Sequence, residues 1–147
     1  MDSVKECQQK LDEIFYLEEE QGAVTSLQCP TLCPTRSLTK NDFTLLKTKG
    51  SRIYGKSLKF CYSFGSFEGI ELGVTAFKKG GNAVARNYFK RIVKEVFRKT
   101  RPLLPLGLKL QVLPMAALKN ISYHTVLEDF RESLCTLIQN KKELLRP

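Results

Sequence analysis

From Asn82 to Thr100 the chain carries two interleaved four-residue rhythms, and any fold must accommodate both. Val84, Tyr88, Ile92 and Val96 recur every fourth position, with Phe89, Val93 and Phe97 beside them. At about 100° per residue these gather into one apolar stripe of a helix. Arg86, Lys90, Lys94 and Arg98 recur in the same way two positions on, about 200° from the stripe, and Arg91 widens that basic face. The spacing predicts a helix from Ala83 to about Thr100, capped by Asn82 and stopped before Pro102. Tyr88 falls on the core-facing stripe by this count.

Like charges on adjacent turns cost an isolated helix about 0.2–0.5 kcal/mol per pair. Glu95 alone offsets them within the helix, and a bound polyanion would relieve the repulsion. A merely solvated face is the plain alternative for such a stripe. The preceding loop, Lys78-Lys79-Gly80-Gly81, shifts the balance. Two glycines allow close backbone approach, and the first amides of a helix form a natural phosphate site. A nucleotide-binding loop would need a glycine-rich pattern ending in Lys-Ser or Lys-Thr, which is absent.

The apolar stripe needs a surface to lie on. Leu58, Phe60, Tyr62 and Phe64 alternate with Lys59, Cys61 and Ser63, and after Gly65–Gly69 so do Ile70, Leu72, Val74 and Ala76 with Glu71, Gly73 and Thr75. The spacing predicts two half-buried strands joined as a hairpin. Leu108, Leu110 and Val112 mark a later strand. Tyr123, Leu127, Phe130, Leu134 and Ile138 mark a closing helix. Upstream, Thr39 and Asp42 approximate a capping box for a short helix through Phe43 and Leu46 to about Lys49, ended by Gly50. Helix, two or three strands, helix, strand, helix is the order of a mixed α/β (α+β) sheet with helices packed on it.

Charge divides the chain. Residues 1–35 carry seven acids (Asp2, Glu6, Asp12, Glu13, Glu18, Glu19, Glu20) against Lys5 and Lys10, yet the whole chain of 147 residues has a net charge of +9. The remainder is therefore strongly basic, as suits a polyanion partner. Residues 3–20 could form a short helix. The two prolines of Cys29-Pro30-Thr31-Leu32-Cys33-Pro34-Thr35 read as a linker, which sets an acidic extension over 1–35 apart from a domain over 36–147. Five scattered cysteines fit free thiols in a reducing compartment. Zinc at Cys29 and Cys33 would need two more ligands in a chain whose only histidine is His124. With neither a signal-like run nor an apolar stretch of about 20 residues, the expected location is the cytoplasm.

The run Lys78-Lys79-Gly80-Gly81-Asn82-Ala83-Val84-Ala85-Arg86-Asn87-Tyr88-Phe89-Lys90-Arg91-Ile92-Val93-Lys94-Glu95 resembles the signature of bacterial ribonuclease P protein subunits. Arg36-Ser37-Leu38-Thr39-Lys40-Asn41-Asp42-Phe43 resembles the family's opening segment, so the likeness covers roughly 36–140. The resemblance implies a two-layer sandwich with a four-stranded mixed sheet, about three helices and a left-handed βαβ crossover, like the second domain of a small-subunit ribosomal protein. It also implies one protein bound to a catalytic RNA and to the 5′ leader of precursor tRNA, assisting endonucleolytic removal of the leader. The RNA holds the active site and most of the Mg²⁺, and no organic cofactor is expected.

Carried onto this sequence, the RNA-binding positions are Lys78, Lys79, Asn82, Arg86, Asn87, Lys90, Arg91, Lys94 and Arg98. Phe43, Phe60 and Tyr62 are candidates for a leader cleft, although four apolar residues on one strand face more often form core. The family usually has Arg-Asn-Arg where this chain has Arg86-Asn87-Tyr88, and Lys47 stands where a second aromatic is common. No paired-metal motif emerges from Asp42, Glu68, Glu71, Glu95, Glu128, Asp129, Glu132 and Glu143, so no protein catalytic or metal-binding residue is assigned. Glu128, Asp129 and Glu132 read as a solvated surface with Arg131, and His124 as a surface or capping residue. An RNA-binding or ribosome-associated module, or a degenerate paralogue, without a catalytic RNA partner remains the competing reading.

Overall fold

The computed structural model describes residues 35–144 apart from Glu68, together with Gln9 and Arg146. Apart from Gln9, the segment 3–20 expected to form a short helix lies outside the described residues, as do the linker up to Pro34 and, within it, Cys29 and Cys33, for which the sequence disfavours zinc. The elements are β1 (Thr35–Ser37), α1 (Lys40–Lys49), β2 (Ser51–Tyr54), β3 (Leu58–Phe64), β4 (Ile70–Val74), α2 (Ala83–Thr100), β5 (Leu108–Pro114) and α3 (Tyr123–Leu144). Single 3₁₀ turns, Lys78–Gly80, Arg101–Leu103 and Leu118–Asn120, precede α2, follow it and precede α3.

The sheet has five strands in the order β1-β4-β5-β3-β2, one more than the four expected. β1 is the addition, pairing parallel with Ile70–Leu72. Three residues are too few to display an alternation, and Thr35, which the prolines assign to the linker, opens this strand instead. The expected hairpin between β3 and β4 does not form. β5 lies between them, antiparallel to β3 and parallel to β4, while β2 supplies the hairpin partner of β3. Alternation dictates which face a side chain takes and leaves the neighbouring strand open. The segment after β3 instead spans the start of β5: Gly65 N–H donates to Gly107 O and Gly107 N–H to Gly69 O, both at 2.8 Å. Gly107 has φ 77°, and a Cβ there would meet Gly65 O at 2.5 Å, so the crossing needs a glycine.

α2 connects the parallel neighbours β4 and β5, and it packs with α3 on one face of the sheet. Leu58, Phe60, Tyr62, Ile70, Leu108, Leu110 and Val112 form the floor of that core, with Phe89, Ile92, Val93, Val96 and Phe97 from α2 and Val126, Phe130, Leu134 and Leu137 from α3 above it. Phe60 and Phe130 meet edge to face, ring centroids 5.1 Å apart. Among the described residues the other face carries α1 alone, seated through Leu38, Leu46 and Cys61 with Phe43 and Leu113.

Asp129 corrects an expectation. Glu128 and Glu132 are exposed as anticipated, but Asp129 between them is 0% exposed. Its carboxylate accepts from Lys56 N–H at 3.1 Å, Ser57 N–H at 2.9 Å and Leu58 N–H at 3.0 Å, fastening α3 to the β2–β3 turn. A helical count separates exposed from buried positions by their apolar neighbours, and a carboxylate that satisfies turn amides leaves no such trace.

Candidate nucleic-acid interface

α2 is positioned from both ends. Asn82 accepts from Ala85 N–H at 2.8 Å, as its N-cap role predicts. The amides of Ala83 and Val84 remain at the head of the helix, where its dipole favours an anion. Just ahead, Gly80 and Gly81 lie against the buried Leu118, whose side chain a Cβ would approach to 3.3 Å and 3.6 Å. The loop is thus held by packing while Lys78 and Lys79 remain exposed.

Lys90, Arg91, Lys94 and Arg98 are exposed along the outer side of the helix, as are Asn82 and Asn87, while Arg86 is half-buried. The structure therefore gathers all nine residues named from the resemblance onto one loop and helix. Their charges are not equivalent. Arg98 is engaged with Glu95 at 2.7 Å, whereas Lys90, Arg91 and Lys94 have no acidic partner among the described residues. The Nε of Arg86 is buried with no hydrogen-bond partner among the described residues.

Tyr88 does not face the core. It is 56% exposed and Val84 is 77% exposed, although both belong to the predicted apolar stripe. Burial in α2 follows Phe89, Ile92, Val93, Val96 and Phe97, with Ala85 packed against the same core in the first turn, so the buried stripe is centred about 100–150° around the helix from Val84 and Tyr88.

The leader-cleft candidates separate. Phe60 is 1% exposed inside the main core, so its ring presents no face to a nucleotide. Tyr62 is buried on the same side, its hydroxyl accepting from the Asn140 amide, and its ring helps to wall a cleft of about 430 Å³ at the end of α3. Phe43 is half-buried on the opposite face, where its ring fills the space left by Gly73: a Cβ there would be 2.6 Å from Phe43 Cζ. Tyr54 and Lys59, which the sequence reading passed over, share that face with α1. Tyr54 is 60% exposed, and the Lys59 ammonium lies 5.4 Å from its ring centroid. Their signal was the register of β3: if Phe60 and Tyr62 point to the core, Lys59 and its cross-strand partner Tyr54 must point the other way.

α1 is clamped over this second face. Thr39 and Asp42 form the predicted capping box, and the Lys109 ammonium reaches Asp42 at 2.7 Å and Glu71 at 3.6 Å. The hydrogen bond from Lys109, then those from the Thr39 hydroxyl and amide, lower the Asp42 carboxyl from 3.8 to about 2. The same bond raises Lys109 above 10.5. Because the folded carboxyl titrates below its unfolded value, its contribution is complete above about pH 4 and lost as pH falls through about 2; the shift corresponds to about 2 kcal/mol. Urea unfolding across pH 2–5 should show Asp42→Asn less stable than the parent by about that amount at the upper end, the gap closing toward the lower. A gap independent of pH would refute this origin.

No group of three or more His, Cys, Asp or Glu side chains is placed to hold a metal ion among the described residues. No described helix is long and apolar enough to cross a membrane.

A family model described as Ribonuclease P matches residues 34–137. The chain is 33% identical over 113 residues to the ribonuclease P protein component of Chlamydia caviae, covering 76% of this chain and 80% of that protein. In three dimensions it is similar to the RNase P protein from Thermotoga maritima, with TM-score 0.63 and 26% identity over 69% of this chain and 96% of the other. The RNase P protein of Staphylococcus aureus, 22% identical with TM-score 0.60 over 72% of this chain and 94% of the other, shares the fold.

Proposed function

This chain belongs to the ribonuclease P protein family, and from that membership we propose that α2 and its preceding loop bind the catalytic RNA of the enzyme. The observation that carries this reading is the cluster of cations from Lys78 to Lys94 on one loop and helix, with helix amides at its head and Lys90, Arg91 and Lys94 lacking acidic partners among the described residues. Such a face neutralises several phosphates at once and gives binding that weakens steeply with salt.

The 5′ leader of precursor tRNA runs across the opposite face, between α1 and the sheet. Phe43 lies at its inner wall, and Tyr54 with Lys59 offers an aromatic surface and a cation to an unpaired nucleotide. Phe60 has no part in this, because its ring is consumed by the core. Lys109 and Asp42 act indirectly, by holding α1 at a set distance from the strands. The protein's task is to bind and orient two RNAs. Family membership supports assigning hydrolysis of the phosphodiester, and the Mg²⁺ ions, to the RNA subunit.

The test is cleavage of a precursor tRNA at low Mg²⁺ by the ribonuclease P RNA encoded in the same genome, with and without the full chain. We expect the protein to accelerate cleavage at the mature 5′ end. Tight RNA binding with no acceleration would favour a binding module or degenerate paralogue, and absence of binding would overturn the reading altogether.

A further inference from the structure

Val84 and Tyr88 are apolar residues that α2 turns outward amid its cations, and neither the core nor phosphate contact accounts for them. They lie one helical turn apart, on the side that also carries Arg91, three positions beyond Tyr88. We infer that Tyr88, backed by Val84, is a stacking platform for one unpaired nucleobase of the partner RNA, with Arg91 and Lys94 taking phosphates beside it.

This rests on the RNA-binding role proposed for α2 and deepens it by adding a base contact to a phosphate-binding surface. The cations around the ring select a polyanion. Phosphates have no use for an aromatic face, whereas an unstacked base does. A paired A-form helix hides its base faces, so the occupant is a nucleotide in a loop, bulge or single strand. A tyrosine on a helix loses little conformational freedom when it stacks, having only two side-chain torsions.

The experiment measures affinity of the full chain for its genomically encoded ribonuclease P RNA over a salt series, with thermal melting as a control. Tyr88→Phe should bind as the parent does. Tyr88→Ala should bind roughly 5- to 150-fold more weakly, the range expected for loss of one stacked base. Its log–log salt slope and its melting temperature should be unchanged, because neither a charge nor a buried contact is removed. Tyr88→Arg should steepen the slope by about 0.7–0.9, as a phosphate contact replaces a base contact. Single abasic substitutions in the RNA should then reveal one position whose loss weakens the parent but not Tyr88→Ala. Parent-like affinity of Tyr88→Ala, or no such abasic position, would overturn the inference. If Lys90→Ala with Arg91→Ala also left binding unchanged, the role proposed for α2 would fall with it.

Discussion

Replacing Asp129 with alanine should destabilise the domain by on the order of 3–5 kcal/mol, a large fraction of the 5–15 kcal/mol by which a typical domain is stable. Three backbone amides, those of Lys56, Ser57 and Leu58, lose a charged acceptor at once. Each donation to a carboxylate is worth about 1.5–3 kcal/mol, and a donor left buried without a partner costs more than an exposed one. Water reaching the outer two amides keeps the total below a simple sum. Glu132→Ala is the matched control. Its carboxylate lies 3.6 Å from the Lys56 ammonium with both side chains more than half exposed, and its loss should cost less than about 1 kcal/mol. Urea denaturation of the two variants tests the contrast. Equal stability would mean that the turn is held by something other than Asp129. Asp129→Asn should fall between them, since one oxygen can still accept while the new amide group faces a backbone donor.

Removing Lys90 and Arg91 together should weaken binding of the ribonuclease P RNA by roughly 15- to 30-fold near 0.15 M salt, with the difference vanishing toward about 1 M. The magnitude follows from counterion release: each phosphate contact contributes about 0.7–0.9 to the log–log salt slope, so two lost contacts reduce it by about 1.4–1.8. Both side chains are exposed and lack acidic partners among the described residues, so the melting temperature should hardly move. Arg98→Ala should change the slope less, because its guanidinium is already engaged by Glu95 at 2.7 Å and must exchange that partner for a phosphate. An unchanged slope in the double variant would remove α2 from the interface even if the protein still stimulated cleavage.

Much of this architecture is written in local patterns. The basic helix, its Asn82 cap, the Thr39–Asp42 capping box, the strands around Phe60, Ile70 and Leu110 and the closing helix all follow from periodicity and side-chain hydrogen bonding within a few residues. So does the cationic surface, because four-residue spacing alone puts Lys90, Lys94 and Arg98 on one side of a helix. These are properties of consecutive residues, and they hold whatever the rest of the chain does.

Tertiary structure decided what depends on distant neighbours. Which strand lies beside β3 was settled by β5 inserting between β3 and β4, over a crossing that Gly107 permits, and no alternation encodes that choice. Phe60 entered the core and Tyr54 the open face because opposite faces of one sheet meet different helices. Tyr88 became a surface residue because the stripe that α2 lays on its neighbours is centred on Phe89, Val93 and Val96, about 100° around the helix from it. Asp129 became a buried fastener because a turn more than seventy residues earlier in the chain supplies its three donors. Periodicity reports what a side chain's own element requires, whereas burial and partnership are set by what the folded chain brings against it.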